Sequence, residues 1–166
     1  MDNTKSIHLL NEGVGGELRA IHQYMYFHFH LDDQGFKPLA QLFKQIAIQE
    51  MGHLELLAER ILFLKGDVVM VESAAVETIT EPEAMLVRVM ELEEECARDY
   101  NRSAIESAAN ADAASKQLFE RLVSAEEGHF DRFKKQHDNI KRFGLSYLAL
   151  QSFGGASSGS APVPGE

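Results

Sequence analysis

The sequence predicts an all-α protein, a four-helix bundle with one long crossover between helices two and three and a short fifth helix near the C-terminus. Segments with the alternating pattern of β-strands are almost absent. Apolar residues instead recur with a period of about 3.6. They do so through residues 5–33, 38–65, 83–108 and 113–142, and through a short segment at 145–153.

Short stretches of turn-forming residues join the first helix to the second and the third to the fourth. The sequence DDQGFKP ends the first segment with Gly35 and Pro38, and SAANADA separates the third segment from the fourth. We therefore expect each pair to form an antiparallel hairpin.

The middle connection, GDVVMVESAAVETITEP from Gly66 to Pro82, is much longer. Extended at ~3.3 Å per residue, it can travel the length of a helix of ~28 residues, so helices two and three can lie parallel. Its valine and isoleucine residues favour packing over disorder. We expect one domain at 1–153 and a flexible Gly/Ser/Ala/Pro-rich tail at 154–166.

Composition and charge exclude several functions. The formal net charge is −10 and the basic residues are scattered, which argues against nucleic acid and favours cations as ligands. Cys96 is the only cysteine, so neither an intrachain disulfide nor a cysteine-based zinc site is expected. The sequence has no secretory pattern and no apolar run of ~20 residues, so we expect a cytoplasmic protein without a membrane span.

Two Glu-x-x-His pairs interrupt apolar helix faces. Glu50 with His53, and Glu126 with His129, each lie three residues apart and so share one side of a helix. The expected apolar neighbours are Phe43, Ile46, Ala47, Leu57 and Ile61 on helix two, and Leu118, Leu122, Phe130 and Phe133 on helix four.

The other two long helices each offer an inward carboxylate. Glu17 shares the apolar stripe of helix one with Tyr24, which lies two turns further on. On helix three, Glu93 lies on the apolar stripe, whereas the register of Glu94 would turn polar residues inward. Tyr24 has two possible roles, a redox-active phenol or a buried tyrosine that hydrogen-bonds to a carboxylate.

Four buried carboxylates would repel one another unless a positive group lay among them. No lysine or arginine occupies these stripes. One Glu from each of two helices plus a Glu-x-x-His from each of the other two is the donor set of ferritin-like di-iron or di-manganese carboxylate proteins. Carboxylate and imidazole donors suit Fe(II) and Mn(II). The pattern therefore predicts a dinuclear metal site.

The segments GELRAIHQY, EMGHLELLAERILFLKG and EEGHFDRF, in this order, resemble those of the bacterioferritins over residues 4–152. The resemblance implies a ferritin-like bundle and a di-iron centre. In that centre Glu17 and Glu93 are terminal carboxylates, Glu50 and Glu126 bridge the metals, and His53 and His129 are the nitrogen ligands. Gln45 and Gln49 stand where some members carry His and Asp that help iron to reach the inner surface.

Met51 is turned away from the Glu50 and His53 face by its helical position. In bacterioferritins a methionine at this position ligates haem b or a related iron porphyrin between two subunits at a two-fold axis. The resemblance therefore implies haem at Met51. The alternative is a methionine that fills a dimer interface.

The function implied is iron storage with ferroxidase activity, in which Fe(II) is oxidised by O₂ or peroxide and deposited as mineral. The family assembles as a 24-subunit homo-oligomeric cage built from dimers, and a ferredoxin is its possible electron donor. Three alternatives stay open: a non-storing di-iron or di-manganese oxidase or peroxidase, a rubrerythrin-like peroxidase, and a non-enzymatic interaction bundle. The rubrerythrin-like peroxidase would need a cysteine-rich domain, which one cysteine cannot supply.

Overall fold

The computed structural model describes residues 1–154, which contain five α-helices and no β-strand. The helices are α1 (Asn3–Asp33), α2 (Lys37–Phe63), α3 (Pro82–Ala109), α4 (Ala113–Phe143) and α5 (Ser146–Gly154). The predicted bounds agree with these to within two residues. The prediction of an all-α bundle with a short fifth helix is confirmed.

Two tight connections form the hairpins that the turn residues predicted. Gly35, in the turn between α1 and α2, has a φ of +86°, a left-handed conformation that glycine adopts without strain. Pro38 follows in the first turn of α2, where a missing N–H leaves no hydrogen bond unmade. α1 packs chiefly on α2 and α3 on α4, as expected for two hairpins.

The crossover is fastened to α1 by hydrogen bonds. The Gln23 side chain donates to the carbonyl of Glu77 at 3.0 Å and accepts from its N–H at 2.7 Å. The N–H of Ser73 donates to the carbonyl of Gly15 at 2.9 Å. Val68 and Ile79 pack against the core, so the crossover is an ordered part of the bundle.

The interior consists of two apolar clusters, one toward each end of the bundle. On α4, Phe119 is fully buried whereas Leu118 and Phe130 are only half-buried, which corrects the predicted apolar face of that helix. Phe119 lies seven residues before Glu126, two full turns along the same face, whereas Leu118 is rotated by about 100° from it.

α5 rests on α2 and α4 and buries Leu148. Large apolar residues in and beside α5 stay exposed, among them Leu145, Leu150 and Phe153. Of the predicted tail at 154–166, residues 155–166 lie outside the described residues. No helix within residues 1–154 combines the length and the apolar character that crossing a membrane requires.

Candidate metal centre

A cluster of four carboxylates and two imidazoles lies in the middle of the bundle, between its two apolar clusters. α1 contributes Glu17 and α3 contributes Glu93, while α2 and α4 each contribute a Glu-x-x-His pair. The structure thus brings together all six predicted ligand residues: Glu17, Glu50, His53, Glu93, Glu126 and His129.

The donor atoms fall into two groups, one around each imidazole. Nδ1 of His53 lies 2.8 Å from Oε2 of Glu50, 3.3 Å from Oε1 of Glu126 and 3.5 Å from Oε1 of Glu17. Nδ1 of His129 lies 3.0 Å from Oε1 of Glu50, 3.4 Å from Oε2 of Glu126 and 3.7 Å from Oε2 of Glu93.

Glu50 and Glu126 belong to both groups, and each presents a different oxygen to each imidazole. Glu17 belongs only to the His53 group and Glu93 only to the His129 group. Within each group the candidate ligand atoms all lie within 4.8 Å of one another. The geometry therefore fits two metal ions that share two carboxylates and have one terminal carboxylate each.

Several polar atoms of this cluster lack a hydrogen bond, although the four carboxylates are at most 3% exposed. Both oxygens of Glu50 and one oxygen each of Glu93 and Glu126 are among them, as is Nδ1 of both histidines. Leaving such atoms buried without a partner costs about 1–3 kcal/mol each, and more for charged groups. A bound cation would satisfy all of them together, so the residues present fit a metal.

Burial and mutual repulsion oppose ionisation of the terminal carboxylates. Burial, together with the nearby charge of Glu50, raises the pKa of Glu17 to about 8. Burial also raises the pKa of Glu93 well above its usual range. For Glu126 the effect of burial is outweighed by the facing imidazoles of His129 and His53, and its pKa falls to about 2.

The two imidazoles respond in the opposite sense. Burial lowers the pKa of His53, but the carboxylates of Glu126, Glu17 and Glu50 outweigh it and raise that pKa to about 12. The pKa of His129 is likewise raised to about 12, chiefly by Glu126, Glu50 and Glu93 against the effect of burial. The carboxylates therefore stabilise positive charge within the site, and protons supply that charge when no metal is bound.

Two buried tyrosines hold the terminal carboxylates. Tyr24 donates from its hydroxyl to Oε1 of Glu93 at 2.6 Å, and the Tyr100 hydroxyl donates to Oε1 of Glu17. Burial and the adjacent carboxylate keep the pKa of each phenol well above 10, so both remain donors.

The sequence analysis expected a carboxylate partner for Tyr24 but assigned no role to Tyr100. A signal for Tyr100 was present, because Glu17 and Tyr24 are seven residues apart and so are Glu93 and Tyr100. Tyr24 of α1 donates to Glu93 of α3, and Tyr100 of α3 donates to Glu17 of α1.

Met51 lies outside this cluster. Its side chain is on the outer face of the bundle and 55% exposed, close along the helix to Ile48, which is 56% exposed. Gln45 and Gln49 accept hydrogen bonds from the Arg132 guanidinium, at 3.2 Å and 2.9 Å.

The chain matches a family model described as a ferritin-like domain over residues 7–143. Among curated proteins it is 34% identical to the bacterioferritin of Desulfovibrio desulfuricans over 163 residues, which cover 95% of this chain and 88% of the relative. It is 32% identical to the bacterioferritin of Rhodobacter capsulatus over 149 residues, covering 89% of this chain and 92% of the relative.

Solved structures of the same two proteins superpose on the fold. The D. desulfuricans bacterioferritin, described with a diiron site in different catalytic states, matches with a TM-score of 0.89 and 32% identity over 99% of this chain and 96% of that chain. The R. capsulatus bacterioferritin, described with a metal-free dinuclear site and with haem iron in a crystallographic special position, matches with a TM-score of 0.86. Its identity is 29%, over 100% of this chain and 99% of that chain.

Proposed function

Because the chain belongs to the bacterioferritin family, we propose that it is an iron-storage protein whose buried carboxylate cluster is a ferroxidase centre. The resemblance seen in the sequence motifs is confirmed by the family match and by both relatives. The single observation that carries the proposal is the pair of donor groups that share Glu50 and Glu126.

Each residue of the cluster has a role on this proposal. Glu50 and Glu126 would bridge two iron ions, because each directs one oxygen to each imidazole. Glu17 and Glu93 would be terminal ligands, and His53 and His129 would supply one nitrogen to each ion. Hard oxygen donors with imidazole suit Fe(II), and the four carboxylates balance the four positive charges of two divalent ions.

Fe(II) is the substrate, and each of two ions gives up one electron. With O₂ as oxidant, two electrons and two protons yield hydrogen peroxide. With peroxide as oxidant, two electrons and two protons yield two water molecules. The resulting Fe(III) leaves the site and is deposited as mineral.

Tyr24 is the candidate for a catalytic residue beyond the ligands. Its hydroxyl is 2.6 Å from a carboxylate oxygen of Glu93, and its ring is fully buried among Phe43 and Phe133. A phenol so placed can give an electron to O₂ or peroxide at the neighbouring centre while its proton passes to Glu93, so that a neutral radical forms rather than a charged one. This placement supports a redox role as well as an orienting one.

Met51 would hold a haem. A thioether is a known axial ligand of haem iron, and Met51 is exposed on the face of α2 turned away from the metal cluster. Two copies of this face, related by a two-fold axis, would enclose haem b or a related porphyrin. When bound, haem supplies a one-electron redox centre, for which a ferredoxin would be the electron donor.

Assembly into a 24-subunit cage in the cytoplasm completes the proposal. A cage needs apolar contacts between subunits, and Leu145, Leu150 and Phe153 at the α5 end are all at least 51% exposed. A nine-residue helix is too short to be stable alone, so these side chains support contacts with other subunits.

The test is the rate of Fe(II) oxidation in a Glu126→Ala variant, followed by stopped-flow absorbance. Removing a bridging carboxylate should abolish the fast phase. Glu120→Ala is the matched control, since it removes the same charge from an exposed position of the same helix and should oxidise Fe(II) at the original rate. A folded Glu126→Ala variant with an unchanged fast phase would instead indicate a structural bundle.

A further inference from the structure

A depression lies between α2 and α4 directly outside the two histidines of the metal cluster. Its volume is about 600 Å³, far more than the ~30 Å³ of one water molecule, so a hydrated ion fits. His53 and His129 form part of its wall, and Gly52 and Gly128 leave open space where side chains would otherwise stand. The depression therefore gives an ion direct access to the imidazole side of the cluster.

The charge of this depression is opposite to that of the protein as a whole. Arg121 and Arg132 line it, and no carboxylate is among the described residues of its wall. They stand about 16 Å apart along α4, and the 11-residue spacing places both on one face, with Ser124 and Gly128 between them. The long side chains thus flank the depression from its two ends.

Neither arginine is neutralised by a carboxylate. The Arg132 guanidinium donates to the amide oxygens of Gln49 and Gln45, which are uncharged, and Arg121 makes no ion pair or hydrogen bond with any described residue. Elsewhere on the helices, Arg19, Arg60, Arg88 and Arg102 each face a carboxylate, whereas Arg98 and Arg142 form no ion pair with a described residue but line no part of this depression. Two guanidinium groups without a carboxylate partner line this one depression in a chain of net charge −10, which indicates a site for an anion.

The opposite approach to the cluster is acidic. A second depression, between α3 and α4, is lined by Glu93, Glu94, Glu126 and Glu127 together with Arg98. Carboxylates attract Fe(II), whereas the guanidinium groups beside the histidines repel it. The cluster thus has a cation-attracting side and an anion-attracting side.

We propose that the depression beside His53 and His129 binds inorganic phosphate between Arg121 and Arg132. A guanidinium group forms paired hydrogen bonds with phosphate oxygens. Hydrogen bonds to Gln49 and Gln45 hold the Arg132 guanidinium at the site. The role of the bound phosphate rests on the proposed function: phosphate accepts Fe(III) when Fe(III) leaves the neighbouring centre. In this transfer phosphate oxygens replace the carboxylate and imidazole ligands of the centre, without further oxidation or reduction.

The binding test uses the assembled, metal-free protein and inorganic phosphate, with affinity measured by calorimetry and by ³¹P NMR. The wild-type protein should bind phosphate saturably, and Arg132→Gln and Arg121→Gln should each weaken binding by at least about tenfold. Arg98→Gln is the matched control, because it removes the same charge beside the acidic depression, and it should leave binding unchanged. Wild-type protein without saturable binding, or arginine variants that bind like it, would overturn the proposal.

The transfer test follows Fe(III) absorbance after aerobic addition of Fe(II), with and without phosphate. Phosphate should speed the loss of the site-bound Fe(III) signal in the wild-type protein but not in Arg132→Gln. Arginine-dependent binding without this acceleration would overturn the role in iron transfer. Absence of a fast oxidation phase in the wild-type protein would instead refute the ferroxidase proposal, and the binding test would still decide whether the phosphate site exists.

Discussion

Protons and metal ions compete for the same atoms of the buried cluster. Below a pH of about 12 the imidazoles of His53 and His129 carry protons in the metal-free protein, because carboxylates surround them. Glu17 also keeps its proton up to a pH of about 8, chiefly because it is buried. Ligands bind metal in their deprotonated forms, so metal binding must expel these protons.

We therefore predict that metal binding at pH 7 releases at least three protons per subunit, one from each imidazole and one from Glu17. The raised pKa of each histidine makes the protonated form the competitor, so metal affinity should rise as pH increases from 6 to 8. Calorimetry with Zn(II) in buffers of different ionisation enthalpy measures the number released. Binding without proton release would show that the imidazoles are already neutral or do not ligate.

Tyr100 is expected to position Glu17 rather than to bind metal itself. Removing its hydroxyl leaves Glu17, the terminal carboxylate of the His53 group, without its hydrogen-bond donor. The loss of such an outer partner typically weakens metal binding by about 10–100-fold. We predict this loss of Co(II) affinity for Tyr100→Phe. In a titration, only one of the two binding steps should be weakened. Tyr26→Phe, on the same bundle but outside the cluster, should bind as the wild-type protein does; equal affinities for both variants would contradict the role of Tyr100.

The sequence was sufficient to predict which side chains gather at the centre, because apolar stripes and a 3.6-residue period fix which carboxylates face inward. The seven-residue spacing from Glu93 places Tyr100 on an inner face, but it does not reveal the contact of Tyr100 with Glu17 or those of Arg132, since these join residues on different helices. Those contacts depend on the vertical register between helices, which no single-helix pattern contains.

Between helices, a buried ion pair fastens the start of α4 to the end of α2. Asp112 caps α4 by accepting from the Ser115 N–H at 3.1 Å, and it accepts from the Arg60 guanidinium at 2.7 Å. Burial opposes ionisation of Asp112, but hydrogen bonds from Ser6 and Ser115 and the charge of Arg60 outweigh it and lower its pKa to about 2.

Asp112→Ala should destabilise the metal-free protein by about 3 kcal/mol, because it leaves Arg60 partly buried without its partner. The folded pKa of about 2 lies below the unfolded value of about 3.9, so this stability is present above pH 4 and is lost as pH falls toward 2. Thermal unfolding across that pH range measures it. Asp99→Ala, which breaks the surface pair with Arg102, is the control and should have little effect; an equal shift for both variants would contradict the account.

Helix lengths and the hairpin pairing were predictable because turn residues mark each break and apolar periodicity marks each helix. The burial of Phe119 in place of Leu118 was missed because adjacent apolar residues on α4 offer two registers; the seven-residue spacing from Glu126 favours Phe119, which packs against Tyr100.

In the proposed assembly, surfaces that are exposed in one chain contact other subunits. Met51 and Ile48 form such a surface on α2, and the proposed haem lies there between two subunits. Sequence alone does not fix this contact, since an exposed methionine also fits an apolar dimer interface.

Met51→Leu should abolish haem binding while leaving the dinuclear site intact, because it removes only the thioether ligand. Reconstitution with haem followed by the Soret absorbance measures this. Met70→Leu, which alters a methionine of the crossover that is 61% exposed, is the matched control and should retain the absorbance. An unchanged Soret band in Met51→Leu would assign haem to another residue.

Iron storage itself is tested by aerobic loading with a large excess of Fe(II), followed by size exclusion with iron and protein counted in the same peak. We predict a large assembly that retains iron far above about two atoms per chain, the capacity of the dinuclear sites alone. Retention of about two atoms per chain or fewer would contradict storage and would move the function to a non-storing oxidase or peroxidase.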